Sequence, residues 1–219
     1  MDMGKAPSRS RHLLNSIREA SLKSLRELGY VQAPASLPVL ERATICRSEE
    51  DIAARALVLH ACCAVSYGFP VSAARQWLLE NGLSGKLTKA EQRLLKSADP
   101  GAQGFHTRAE AIWMFCWMLG KTARFQPHSE APGDAVTLLP DLRKMEPARD
   151  WMNRVELRPA DQCVVMLDFY YCLNWLYVHA QLTGEQVGPL LPDYVVLERR
   201  RALEWCFADE DWDWISLDT

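Results

Sequence analysis

No apolar run in this sequence is long enough to cross a membrane as a helix. The longest clean one, residues 111–119, falls far short of the roughly 20 residues required. The start, Met1-Asp2-Met3-Gly4-Lys5, lacks the apolar stretch of a secretory signal. A charge excess is also missing: 25 Lys and Arg against 28 Asp and Glu leave a formal −3. That argues against a general nucleic-acid binder, which carries a basic face. There is no Gly-x-Ser-x-Gly elbow, no Gly-rich phosphate loop and no His-Glu-x-x-His, so no hydrolase, nucleotide or metalloprotease chemistry announces itself by motif. Internal repeats are absent too, which excludes a solenoid.

Cysteine, by contrast, is not scarce. Cys46, Cys62, Cys63, Cys116, Cys163, Cys172 and Cys206 make seven, and most lie in apolar stretches, where a free thiol behaves as a small hydrophobe. An odd count without a secretory signal reads as a reduced, cytoplasmic, soluble chain. Hydrophobic residues at 48% can fill the core of one domain. Eight tryptophans are many for 219 residues. Each joins a large apolar area to one N–H that needs an acceptor, so they belong in cores or at interfaces. Charge is unevenly spread. Lys5, Arg9, Arg11, Arg18, Lys23 and Arg26 crowd the beginning, whereas Glu204, Asp209, Glu210, Asp211, Asp213 and Asp218 leave residues 202–219 without a base. The favoured reading is that the two ends attract each other within one fold; the rival is an acidic face for a basic partner.

Periodicity and punctuation predict helix after helix. Leu14, Ile17, Leu22, Leu25 and Leu28 share a face over residues 10–28, closed by Gly29. Ser48 followed by Glu49, Glu50 and Asp51 is an N-cap with acids in the first turn. The helix it opens is apolar on most sides from 53 to 65, hence central. A further helix over 72–81 stops at Gly82. Residues 88–91 and 107–110 both read as capping boxes. The first opens a short amphipathic helix to about Ala98; the second opens a helix, apolar all round, that stops at Gly120. Pro159 begins a long helix ending at Gly184, and the last runs from Pro192-Asp193 to about Phe207. Residues 121–150, broken by Pro127, Pro132, Pro140 and Pro147, read as an irregular loop region, either an ordered loop with one short helical turn or a mobile linker. The fold class is all-α: a single multi-helix domain over 9–219 behind a disordered stretch, 1–8. The only places for a strand are 39–46 and 214–217.

Candidate chemistry is thin. His60 and Cys63 stand i,i+3 on one helix and can face the same metal, but no second pair completes a site; neither metal nor cofactor is expected. His106 and His179 are isolated. Cys62 or Cys163 beside a distant His is a pairing that any chain with seven cysteines offers. The carboxylates of Asp209, Glu210, Asp211 and Asp213 sit in a polar tail, where tuning by burial is hard to arrange. The C-terminal segment says more. Arg199, Arg200 and Arg201 form either an anion site for phosphate or carboxylate, or a structural cluster pairing with Glu204 and stacking on Trp205 or Trp212. The structural reading is favoured. Asp209, Glu210, Asp211, Trp212 and Trp214 form either a closing strap with both tryptophans on the core, or a partner-binding surface with tryptophan anchors ringed by charge.

Several of these stretches also carry a resemblance. Arg47-Ser48-Glu49-Glu50-Asp51-Ile52-Ala53-Ala54-Arg55-Ala56-Leu57, Leu87-Thr88-Lys89-Ala90-Glu91, the 110–120 helix and the closing Glu198-Arg199-Arg200, Ala202-Leu203-Glu204-Trp205, Trp212-Asp213 and Leu217-Asp218-Thr219 together resemble a bacterial family of unknown function, numbered 4272 among such domains. The closing motif is the most specific. The resemblance spans about residues 9–219 and implies a bacterial, single-domain protein. It brings no activity and no catalytic residue.

The functional expectation is a non-catalytic, cytoplasmic module that binds a protein partner, without nucleic acid or membrane. Its most concrete form is an immunity protein neutralising a bacterial toxin of the secreted, type VI-like kind. The alternative is an enzyme of unrecognised class, a hydrolase for instance, whose sign would be a deep pocket gathering His60, Arg55 or Glu110. A third reading is a regulatory domain that binds a small anion at Arg199–Arg201.

Overall fold

Ser48 opens the helix on which the fold is centred. Its side chain accepts a hydrogen bond from the Asp51 backbone N–H, and Glu49, Glu50 and Asp51 fill the positive first turn. In the computed structural model, which describes residues 6–34, 36–41, 43–96, 104–189 and 191–218 and, within these, no side chains of 6–10, eight α-helices follow one another. They are α1 (Ala6–Glu27), α2 (Glu49–Ser66), α3 (Val71–Glu80), α4 (Lys89–Lys96), α5 (Ala109–Met118), α6 (Ala148–Met152), α7 (Ala160–Thr183) and α8 (Asp193–Phe207).

Packing follows from which helices are apolar all round. α2 and α5 bury nearly every side chain. They pack on each other in the middle, with α3 and α4 on the outer side of α2 and α8 against α5. α7 then lies on α8, and α1 on α7. The neighbours thus run α1, α7, α8, α5, α2, and one continuous core passes through them. Proline sets helix starts: Pro70, Pro159 and Pro192 are the residues just before α3, α7 and α8. Gly120 ends the α5 segment with a left-handed backbone, and a side chain there would place a Cβ 2.9 Å from the Glu156 carbonyl oxygen. Only glycine allows residues 156–158 to lie against the end of α5, where Glu156 and Arg158 donate to the Leu119 and Met118 carbonyls.

Several details differ from the sequence reading. α1 begins at Ala6, so the expected disordered stretch overlaps the helix at 6–8, and residues 1–5 lie outside the described ones. The expected end of α4 near Ala98 also lies outside them. No strand forms among the described residues; the segment around Cys46 makes a single ladder-like bond, Cys46 N–H to the Cys206 carbonyl. Residues 121–150 hold more structure than one turn: 3-10 turns at Ala135–Leu138 and Leu142–Lys144, then α6. Of the two capping boxes, only Thr88–Glu91 closes reciprocally. At 107–110 the Thr107 hydroxyl donates to the Gly104 carbonyl instead, and Glu110 is taken by a distant arginine. Nor do the described basic residues of α1 meet the acidic tail. Arg18 pairs with Asp168 on α7 and Lys23 with Glu27 on its own helix.

Candidate functional site

Arginine organises the inside of this molecule. Among the described residues, three guanidinium–carboxylate pairs lie in the core: Arg18–Asp168, Arg55–Glu91 and Arg199–Glu110, with closest N–O distances of 2.8, 2.6 and 2.7 Å. None has a carboxylate oxygen to spare for chemistry. Asp168 receives Nε and Nη2 of Arg18, whose other contacts are the Leu37 and Pro38 carbonyls. Glu91 holds Arg55 and the backbone N–H of Thr88. Glu110 takes the Ala131 N–H on one oxygen and Arg199 on the other. Arg199 is fully buried, and it also donates to Tyr170 and to the carbonyls of Gln126, Pro127 and Ser129. Its role is to tie the 126–131 loop onto α5, α7 and α8.

This corrects the anion reading of the Arg199–Arg201 cluster for two of its three members. Arg199 is spent on Glu110 and the loop. Arg200 is also buried and binds Glu204, four residues on, together with the Leu217 and Asp218 carbonyls. The helix carries successive side chains about 100° apart, so the triplet is split three ways. Only Arg201 keeps an open edge.

The C-terminal segment is a strap. Arg47 donates to the Trp205 and Glu210 carbonyls and lies over the Trp205 ring, while Arg200 holds the other end at 217–218. Between them, Trp212–Trp214 is a 3-10 turn. Trp212 is 4% exposed and sits among Phe115, Trp205, Arg55 and Arg108 at 5.5–6.0 Å. It is a core residue, which removes it from the proposed partner-binding set. The guanidiniums of Arg55 and Arg108 each carry a buried Nε–H with no oxygen acceptor; the indole beside them is the group that meets this charge. Trp214 is 77% exposed. Asp209, Glu210, Asp211 and Asp213 are exposed around it in sequence.

The remaining candidates are occupied. His60 is buried in α2, its Nε2 3.0 Å from the Pro140 carbonyl, while the Cys63 thiol points to the His106 carbonyl. The two do not share a ligand position, and no group of three or more His, Cys, Asp or Glu side chains gathers among the described residues. His179 stacks on Trp175 and binds Glu185. His106 packs edge-on against the exposed Tyr67. Burial pushes the Cys63 thiol up to about 11 and those of Cys116, Cys163 and Cys172 up to about 12, and raises Cys62 and Cys206 as well. Such thiols are not nucleophilic thiolates at neutral pH. His60, Arg55 and Glu110 do not line a common pocket; each is engaged with a different element. A groove of about 470 Å³ between α1 and α7 is apolar, with Asp161 its one ionisable lining residue.

Burial lowers the pKa of His60, against a smaller opposing effect of the Pro140 carbonyl and Asp141. The folded protein therefore holds the imidazole neutral, while the unfolded chain protonates it below about pH 6.5. Stability from this group is fully present above that pH and is lost as the pH falls below it, at up to about 1.4 kcal/mol per unit. Urea midpoints at pH 7.5, 6.5 and 5.5 should fall more steeply for the native chain than for His60→Gln; equal slopes would refute this.

No helix among the described residues is long and apolar enough to cross a membrane. A family model described as a domain of unknown function, DUF4272, matches residues 18–215. No curated protein matches the chain, and no solved structure does.

Proposed function

From a chain that belongs to the DUF4272 family, whose description carries no activity, we infer a module that binds a protein partner through its C-terminal strap and works without catalysis. The observation that carries this is Trp214. Leaving an indole 77% exposed on a backbone fastened at both ends has no benefit for the fold, and exposed aromatics on rigid supports are what interface anchors look like. Its acidic neighbours Asp209, Glu210, Asp211 and Asp213 select a basic partner surface with an apolar socket. The concrete form we propose is an immunity protein of a bacterial cytoplasm that covers the basic groove of a toxin.

Co-expression with the product of the adjacent gene tests it. Toxicity of that product alone, relieved by this chain, with a complex that persists on sizing at low salt and weakens at high salt, is the expected result. No toxicity and no complex would reject the immunity reading. The enzyme alternative has no observation in its favour that compares with Trp214.

A further inference from the structure

Arg201 is the member of its triplet that the fold leaves unsatisfied. Among the described residues it donates no hydrogen bond; its ion-pair contact is with Glu198 Oε1, at 4.0 Å from Nε. That Nε–H is buried without a partner, while the side chain keeps 22% exposure. Arg108, which opens onto the same face from the turn before α5, has taken Glu198: its Nη1 lies 2.8 and 2.6 Å from the two oxygens. Arg108 is 22% exposed as well, and its Nε–H also lacks an oxygen acceptor. Two guanidiniums thus share one carboxylate. Burial and the charge of Arg108 both weigh against the Arg201 cation, and Glu198 and Asp213 only partly compensate. A charged group this covered with no hydrogen bond is held there at a cost.

We propose that Arg201, with Arg108 beside it, is a receptor for a carboxylate from solution. The planar fork of a guanidinium matches two carboxylate oxygens; here two guanidiniums face two carboxylates, Glu198 and Asp213, yet neither makes a hydrogen bond to Arg201. Glu198 below and Asp213 on the strap repel a doubly charged phosphate more than a singly charged carboxylate. Trp212 lies against Arg108 at 5.7 Å, so the site has an optical reporter. Asp213 also belongs to the acidic stretch beside Trp214, but the test below uses no protein partner, so its outcome does not depend on the protein-binding reading.

The test is a titration of the full chain with acetate, and with phosphate and chloride at matched ionic strength, following the Arg Nε–Hε resonances and tryptophan fluorescence. Acetate is expected to move the Arg201 resonance saturably, and Arg201→Gln to weaken acetate binding, read at Arg108 and Trp212, by about tenfold or more. Since Arg201 makes no hydrogen bond to lose and its charge is held there at a cost, the variant should melt no lower than the native chain. Glu198→Gln should tighten acetate binding. A response that does not saturate, one that Arg201→Gln leaves unchanged, or one in which phosphate equals acetate would overturn the assignment.

Discussion

Glu110→Ala is expected to destabilise the protein by about 3–5 kcal/mol, the cost of leaving a buried charge without its partner. Arg199 is fully buried and has no route to water, so its guanidinium would stay in the core opposite an empty site. The loop should suffer with it. Ala131 N–H loses its acceptor, and the arginine that gathers the Gln126, Pro127 and Ser129 carbonyls loses what holds it in place. Limited proteolysis should therefore speed up within 124–134 before the rest of the chain is cut. Two controls separate this from a general weakness. Lys23→Ala breaks an exposed pair with Glu27 and should change stability by no more than about 0.5 kcal/mol. The double change Arg199→Met with Glu110→Leu removes the charge together with its partner, and should recover the part of the loss that comes from the uncompensated charge, while the 126–131 loop stays unfastened. Urea unfolding of the four proteins measures this; a Glu110→Ala loss below about 1 kcal/mol would mean that water reaches Arg199 after all.

That pair also marks the limit of what the sequence discloses. The helices were legible because their signals are local. Ser48 and its acids, the Thr88–Glu91 box, and Gly120 and Gly184 each act within a turn or two of themselves. The apolar character of 53–65 marks a central helix and that of 111–119 a buried one, and both helices bury nearly every side chain in the fold. Glu110, however, is 89 positions from Arg199. Read locally, Thr107–Glu110 is a capping box; a buried arginine offers that carboxylate a stronger partner than a backbone N–H, and the box does not close. The same holds for the arginine triplet. Nothing in three consecutive arginines says which one faces Glu110, which one clamps the chain end and which one is left over. Helical rotation distributes them: Arg199 meets Glu110, 89 positions away, Arg200 meets the expected Glu204 four residues on and also the distant Leu217 and Asp218 carbonyls, and Arg201 stops 4.0 Å short of Glu198.

Trp212 and Trp214 should behave as opposites, although they are the same residue type two positions apart. A 3-10 turn advances about 120° per residue. Positions 212 and 215 therefore share a face, and Trp212 and Ile215 are both buried, while 214 is rotated away from them. Sequence alone left both tryptophans on one side, because neither period nor composition tells a 3-10 turn from an extended strap. Trp212→Ala is expected to cost about 3–5 kcal/mol, as for a large aromatic removed from a core. It opens a space between Phe115 and Trp205 and exposes the charges of Arg55 and Arg108 to a void. Trp214→Ala should change stability by less than about 0.5 kcal/mol. In binding, Trp214→Ala is expected to lose about 2 kcal/mol or more, roughly thirtyfold in Kd, if it is the anchor of the interface. Thermal melts and partner titrations on both variants give a two-by-two result. A Trp214→Ala protein that melts normally and binds normally would leave the exposed indole without a role and remove the main support for the strap as an interface. A Trp212→Ala protein that melts normally would show instead that the strap is not part of the core.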